Sequence, residues 1–278
     1  MKRTITFAVS LLFVATLLVA MPVAEEPAAV ANLAVLAGPT GFSSAGLENF
    51  ISTEKFELAV YPSPNEVIAR LANGELDLAA LPSNVAANLY NKGVKINVAA
   101  VIGDGMLSVL STDSSITTAL DVIGKKVNIP GAGSTPDQMA HLLLQEANLV
   151  AGVDVELDYS VAAPAQLAQL LIANRVSLAM LPEPFVTMVS RQNPAVRVAL
   201  DVQEVYSALT GVANYPMSVL VVRSGFAAEH PALLQEILTA YKESVEWVVA
   251  NPTAAGAKIE EAGIMAAAMA TAALPSCN

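Results

Sequence analysis

The sequence predicts an α/β fold of two similar lobes, each a mostly parallel sheet flanked by helices. The first indication is an internal repeat. The stretch 71–85 (LANGELDLAALPSNV) recurs 100 positions downstream within the stretch 170–185 (LLIANRVSLAMLPEPF). Each copy has the pattern of a helix, a tight turn, a short buried strand, a Pro-containing loop and a new helix. The second indication is the alternation of short apolar strands with helices along the chain, which favours parallel pairing.

An L-x-x-L-P pattern can also recur by chance in a chain rich in Ala and Leu. The register kept across the whole unit favours a true repeat, and self-similarity at this spacing indicates two copies of one structural unit. In open α/β sheets, ligands bind beyond the carboxyl ends of the strands, where loops 82–84 and 182–184 are expected. The sequence therefore predicts a ligand cleft between two lobes.

Composition limits the classes of function. The 278 residues are enough for one large domain or two small ones. A net charge of −11 argues against nucleic acid or an anionic membrane surface as partner. Cys277 is the only cysteine and His141 and His230 are the only histidines, so we expect no internal disulfide, no Cys- or His-rich metal centre and no cofactor.

The N-terminus has the pattern of a secretory signal peptide over residues 1–24. Lys2 and Arg3 precede an apolar run at 5–21, and Pro22, small residues and two glutamates follow. The alternative is an uncleaved anchor, for which a run of about 17 residues is at the short limit. No cysteine lies near the exit for lipid attachment, so the expected location is the periplasm.

In the first half of the chain, strands are expected where short apolar runs lie between turn residues. Ser63 and Glu66 predict a capping box around Pro64 at a helix start, and Gly74 is expected to end that helix. The predicted strands are 33–37, 57–61, 76–81 and 95–102, and the predicted helices are 43–50, 64–73 and 84–91.

The second half repeats this order after an interruption at 103–105 (GDG), and then the chain returns to end in helices. The long helix that starts at Pro231 carries an apolar stripe at helical spacing. The predicted strands are 106–111, 126–129, 153–159, 177–181, 196–200 and 217–222, and the predicted helices are 118–123, 135–148, 165–174, 184–191, 202–209, 231–251, 252–262 and 265–273.

The loop 38–42 (GPTGF) follows the first strand and is bracketed by glycines. Such a loop lets backbone N–H groups face a ligand, which makes Thr40, Gly41 and Phe42 candidate ligand-binding residues. The alternatives are an ordinary strand-to-helix turn and, for the Phe42 ring, a place in the core instead of stacking on a flat ligand.

The loop 131–135 leads into a helix whose first residues, Thr135-Pro136-Asp137-Gln138, predict Thr135 as N-cap. The free N–H groups and the dipole of a helix start favour an anion or a polar acceptor. Gly133, Ser134 and Thr135 are therefore candidates, the two hydroxyls as additional donors. The alternative is that these residues only form the turn and cap the helix.

Glu183 lies between two prolines in the second copy of the repeat, where the first copy has Ser83. Facing the cleft, its carboxylate would accept hydrogen bonds from an amine or amidine and repel an anion. At the surface it would only favour the helix start through the dipole. Ser83 is a candidate at the matching position, and Asn84 is either a helix cap or a ligand donor. Asp104 is either a ligand-binding residue or a turn residue.

Taken in order, the segments PTGF, NGELDLAALPSN, GDG, KKVNIPGAGSTPD, RVSLAMLPEPF and YPMSVLVVR resemble the periplasmic substrate-binding proteins of bacterial ABC importers. The resemblance is to the SsuA/THI5-like group for sulfonates, nitrate and thiamine-precursor pyrimidines. It implies a type II-like periplasmic-binding-protein fold with two crossovers, and it makes Asn214 and Tyr215, at the second crossover, candidate contacts. Carried onto this chain, lobe one is 31–105 with 217–278, lobe two is 106–216, and the crossovers fall near 103–106 and 214–217.

The resemblance also implies a function. The protein would capture a small organic solute, heterocyclic, zwitterionic or sulfonate-type, and deliver it as a monomer to an ABC permease, with no catalytic residue. The alternatives are an enzyme or a sensory protein on the same fold. Ser134 and His141 as nucleophile and base lack an evident third group. A transcription regulator is disfavoured by the acidic charge, the export signal and the lack of a DNA-binding segment.

Overall fold

The computed structural model of the chain describes residues 29–277, which form two five-stranded sheets with helices on both faces of each. The predicted signal peptide lies outside the described residues. The strands are β1 (Ala31–Leu36), β2 (Phe56–Tyr61), β3 (Leu78–Pro82), β4 (Ile96–Gly103), β5 (Leu107–Ser111), β6 (Lys126–Asn128), β7 (Glu156–Asp158), β8 (Leu178–Pro182), β9 (Arg197–Asp201) and β10 (Ser218–Arg223).

Eleven α-helices are found among the described residues, most of them close to predicted positions; the helices at 39–42 and 224–229 were not predicted. They are α1 (Pro39–Phe42), α2 (Pro64–Asn73), α3 (Ser83–Asn91), α4 (Thr135–Glu146), α5 (Pro164–Ile172), α6 (Phe185–Gln192), α7 (Val202–Thr210), α8 (Ser224–Glu229), α9 (Pro231–Ala250), α10 (Pro252–Glu261) and α11 (Ala267–Ala273). The helix predicted at 118–123 is a short 3-10 turn, Ala119–Val122, capped by Thr118. No helix in 29–277 is long and apolar enough to cross a membrane.

The two sheets have equivalent strand orders, β2-β1-β3-β10-β4 and β7-β6-β8-β5-β9. The repeated segments supply the central strands β3 and β8, each followed by a helix. The predicted lobe boundaries place one sheet in each part of the chain, and we use them below as the definition of lobe one and lobe two.

Each sheet is mostly parallel, as predicted, with one strand that runs against the others. In lobe one β1 pairs in parallel with β2 and β3, whereas β10 is antiparallel to both β3 and β4. In lobe two β5 is likewise antiparallel to β8 and β9. Both β5 and β10 follow a crossover, so each enters its sheet from the edge at which the parallel strands end and must run in the opposite direction.

The central strands β3, β8 and β10 are buried on both faces, which explains their nearly continuous apolar sequences. Along β1, Leu33 and Val35 point into one core cluster and Ala34 and Leu36 into another, as the two-residue period of a strand requires. The largest of the clusters contains α9, whose Tyr241 is fully buried.

The helix predicted at 43–50 does not form. Instead, α1 is followed by turns and a 3-10 helix, Leu47–Asn49. The hydroxyl of Ser244 on α9 accepts a hydrogen bond from the Gly46 N–H at 3.0 Å and donates one to the Ser43 carbonyl at 2.6 Å. These long-range bonds use backbone groups that a regular helix would pair internally.

Candidate ligand-binding site

A cavity of about 470 Å³ lies between the lobes, at the carboxyl ends of β3 and β8. This volume is in the usual range for small-molecule sites. Both lobes contribute to its walls. The lining residues are Pro39, Thr40, Pro82, Asn84, Val85, Met106, Ala132, Gly133, Ser134, Thr135, Pro136, Pro182, Glu183, Phe185, Met217 and Ser218.

Asn84 joins the two lobes at this cavity. Its Nδ2 donates to the carbonyl of Gly133 at 3.2 Å, and its Oδ1 accepts a hydrogen bond from the Thr135 hydroxyl at 3.2 Å. Asn84 is the second residue of α3, and its side chain makes no cap there. The sequence offered a helix cap or a ligand donor, and the structure shows a third role, a clasp between the lobes.

The loop 131–135 turns through Gly131 and Gly133, whose φ angles of 77° and 75° are those that glycine adopts without strain. Ser134, not Thr135, is the N-cap of α4, and its hydroxyl accepts a hydrogen bond from the Asp137 N–H at 3.4 Å. The prediction of Thr135 as N-cap is therefore wrong by one residue. Its hydroxyl is instead directed across the cleft to Asn84.

The carboxylate of Asp137 fixes the loop 131–135 by hydrogen bonding. It accepts the Gly133 N–H at 2.7 Å with Oδ2 and the Tyr159 hydroxyl at 2.7 Å with Oδ1, and it is only 8% exposed. His141, on the solvent side, lies 3.4 Å from the same Oδ1. The negative charge already meets the positive end of α4, and it occupies one of the N–H groups that the sequence offered to an anion.

Glu183 is a buried carboxylic acid at the cavity, 5% exposed. Its Oε2 accepts the Thr187 N–H at 3.1 Å in the first turn of α6, so it satisfies a helix start while lining the cavity. Burial removes water from the carboxylate and raises the pKa of Glu183 above its usual value, although the hydrogen bond from Thr187 opposes this. The residues that line the cavity include no Lys, Arg or His.

The remaining walls are mainly apolar, and several of their residues were missed in the sequence. Met106 and Met217 flank the crossovers, Phe185 begins α6, and Ser218 begins β10. The predicted crossovers were the available signal, because residues next to a crossover lie where both lobes meet.

The residues predicted at the crossovers hold the crossovers to each other instead of lining the cavity. Asn214 donates to Asp104 Oδ2 at 2.9 Å. Tyr215 is 4% exposed and packs edge-on against Tyr206, with ring centroids 5.1 Å apart. Ser83 similarly donates from its hydroxyl to the Pro216 carbonyl at 2.7 Å.

Of the candidates in loop 38–42, only Thr40 lines the cavity. Phe42 is 3% exposed within the core of lobe one, so the structure places it as a core residue and not as a stacking surface. Gly41 is buried beside it, and a Cβ at this position would lie 2.5 Å from the Leu36 carbonyl oxygen. Close packing, not ligand contact, explains this glycine.

Ser134 and His141 do not form a nucleophile–base pair. The Ser134 hydroxyl caps α4, and His141 Nε2 lies 3.3 Å from the Tyr159 hydroxyl. Within 29–277, no cluster of three or more His, Cys, Asp or Glu side chains has the arrangement of a metal site.

Two similar α/β lobes, joined by two crossovers and with a cavity between them, define the periplasmic-binding-protein class of fold. The sequence profile of the NMT1/THI5-like family matches residues 48–255, and the chain belongs to this family. No curated protein sequence matches the chain.

Solved structures of this class superpose over most of the chain. An ABC transporter protein from Parabacteroides distasonis is 26% identical, with a TM-score of 0.70, over 88% of this chain and 85% of that chain. The periplasmic aliphatic sulphonate binding protein SsuA from Escherichia coli is 17% identical, with a TM-score of 0.69, over 90% of this chain and 85% of that chain. The alkanesulfonate-binding protein SsuA from Xanthomonas axonopodis pv. citri, bound to MOPS, is 13% identical, with a TM-score of 0.63, over 90% of this chain and 84% of that chain.

Proposed function

We propose that this protein is the extracytoplasmic solute-binding component of an ABC importer. The observation that carries the proposal is the cavity of about 470 Å³ whose walls come from both lobes. A solute in it would contact lobe one and lobe two together, so its binding energy would favour the conformation in which they meet. A permease can then distinguish the loaded protein from the empty one.

The solved structures that resemble the chain support this role, since they are described as ABC import proteins and as sulfonate-binding proteins. The cavity admits a small organic solute, which we propose to be heterocyclic, zwitterionic or sulfonate-type. The proposed partner is an ABC permease at the membrane, approached by a monomer in the periplasm after cleavage of residues 1–24.

An enzyme on the same fold is the main alternative. The arrangement of Ser134 and His141 favours binding over catalysis, because each side chain is engaged with another group and neither faces the other. A sensory role would use the same solute-driven closure and differs only in the partner.

The proposal is tested by small-angle scattering and thermal shift on the mature chain. The panel contains pyrimidines, thiamine, riboflavin, taurine, alkanesulfonates, nitrate and aromatic carboxylates. A solute at 100 times its dissociation constant should add about 2.7 kcal/mol of stability and reduce the radius of gyration. A solute that binds without compaction would contradict closure between the lobes.

A matched pair of variants locates the binding. Ala132 is exposed and lines the cavity, so a Trp side chain there should fill it and abolish the shift. Ala87 is equally exposed on α3 but lies outside the cavity, and Ala87→Trp should bind normally. Equal binding by both variants would place the solute elsewhere.

A further inference from the structure

The protein's own contacts use only part of the hydrogen-bonding capacity of the Glu183 carboxylate. Its hydrogen bonds come from Thr187: the backbone N–H donates to Oε2 at 3.1 Å, and the side chain of Thr187 also interacts with the carboxylate. Two carboxylate oxygens can accept about four hydrogen bonds, and a role as helix cap does not require the side chain to be 5% exposed beside a cavity.

The carboxylate also lacks a cationic partner. No ion pair involving Glu183 forms within the described part of the chain, and no basic side chain lines the cavity. Buried carboxylates in proteins are normally paired, because an isolated charge out of water is costly. A positively charged group from outside the chain would complete this site.

The opposite wall offers little to an anion. The Gly133 N–H is bound by Asp137, the Asp137 N–H by Ser134, and the Asn84 amide by the carbonyl of Gly133. The Asp137 carboxylate adds a negative charge behind the same loop. The N–H groups of Gly133 and Asp137, which the sequence suggested as part of an anion site, are therefore bound by the protein's own groups.

The geometry points to a solute with a protonated nitrogen, an amine or amidinium on an apolar body, whose N–H groups donate to Glu183. This inference rests on the proposed function and names the solute class for the same cavity. Met106, Met217 and Phe185 contact the apolar body, and the hydroxyls of Thr40 and Ser218 are within the same walls for one further polar group. The same charge disfavours nitrate and simple sulfonates, so this inference narrows the proposed solute classes to the heterocyclic and zwitterionic ones that carry a protonated nitrogen.

Probes that share one apolar body and differ in charge provide the test. Benzamidine and benzylamine carry the cation, benzyl alcohol is neutral, and benzoate and benzenesulfonate carry the anion. Calorimetry and thermal shift on the full mature chain should show the cations binding about tenfold or more tighter than benzyl alcohol, with no binding of the anions.

Glu183→Gln keeps the shape of the side chain and an oxygen for the Thr187 N–H, so the start of α6 should be retained. The variant should lose about tenfold or more in affinity for benzamidine and none for benzyl alcohol. The matched control is Glu204→Gln, at an exposed glutamate on α7 of the same lobe, which should bind both probes as the wild type does.

A pH series on the wild type gives a readout that needs no variant. Benzamidine stays protonated across the range, so its affinity should fall as the pH is lowered and Glu183 takes up a proton. The Cys277 thiol also interacts with Glu183, and burial raises the pKa of this thiol to about 12, so the thiol stays neutral throughout.

The outcomes separate the two proposals. Tight binding and compaction with benzenesulfonate or taurine, unchanged in Glu183→Gln, would overturn the cationic class and leave a solute-binding protein. No binding of either cation, or equal binding by wild type and Glu183→Gln, would also overturn it. Binding of any solute without compaction counts against the proposed function itself.

Discussion

The clasp formed by Asn84 should control how readily the lobes meet. It consists of two hydrogen bonds, to the Gly133 carbonyl and from the Thr135 hydroxyl, each 3.2 Å long. A typical intramolecular hydrogen bond contributes about 0.5–1.5 kcal/mol net. Both bonds are at least partly exposed, so we expect Asn84→Ala to cost the closed form about 1–2 kcal/mol, which is a factor of roughly 5–30 in the closed-to-open ratio.

The measurement is small-angle scattering without solute, together with solute affinity. Asn84→Ala should have the larger radius of gyration, and its apparent affinity should fall by at most the same factor, because a smaller fraction of the chain is ready to bind. Asn88→Ala is the matched control, since Asn88 is exposed on the same helix and its side chain makes no hydrogen bond within 29–277. Identical scattering and affinity for Asn84→Ala, Asn88→Ala and the wild type would refute the clasp.

Three further changes test the site and the crossovers. The pKa of Glu183 is raised in the folded protein, so its contribution to stability is complete below the unfolded pKa near 4.5 and is lost as the pH rises through the folded pKa. Glu183→Gln should therefore raise the melting temperature more at pH 7 than at pH 4. A difference in melting temperature that does not change with pH would contradict this. Asp137→Ala removes the acceptor for the Gly133 N–H and the Tyr159 hydroxyl and should cost about 2–3 kcal/mol in urea unfolding, whereas an unchanged midpoint would show that these bonds do not stabilise the loop. Gly105→Ala would put a Cβ 2.5 Å from the Tyr215 ring and should cost about 1–3 kcal/mol by thermal unfolding; wild-type stability would mean that the crossovers separate easily.

Local signals predicted much of the fold. The Ser63 N-cap and the left-handed Gly74 at the two ends of α2 were predicted correctly, because capping depends on a few neighbouring residues. The predicted capping box is wrong, since the Ser63 hydroxyl accepts the Asn65 N–H and Glu66 pairs with Arg70. The start of α4 shows the limit of such signals. Ser134 and Thr135 both have hydroxyls that can cap a helix; Ser134 is the cap, and the Thr135 hydroxyl donates to Asn84 in the other lobe.

The candidate site was predicted less completely than the fold. Thr40, Glu183 and the loop 133–135 lie at the cavity, whereas Phe42 is in the core and Tyr215 packs at the crossover. An aromatic residue in a loop has the same sequence pattern whether its ring faces a ligand or the core. Only the packing of neighbouring elements distinguishes the two positions.

By itself, the sequence determined the α/β class, the two repeated units and the loops that meet at the cleft, because apolar periodicity, turns and the repeat are properties of short stretches. The tertiary structure alone decided the antiparallel direction of β5 and β10, the clasp through Asn84 and the burial of Glu183 beside a cavity without a basic residue. These features depend on groups far apart in the chain. Glu183 and Asn84 are 99 positions apart in the sequence and line the same cavity only because the two lobes meet there.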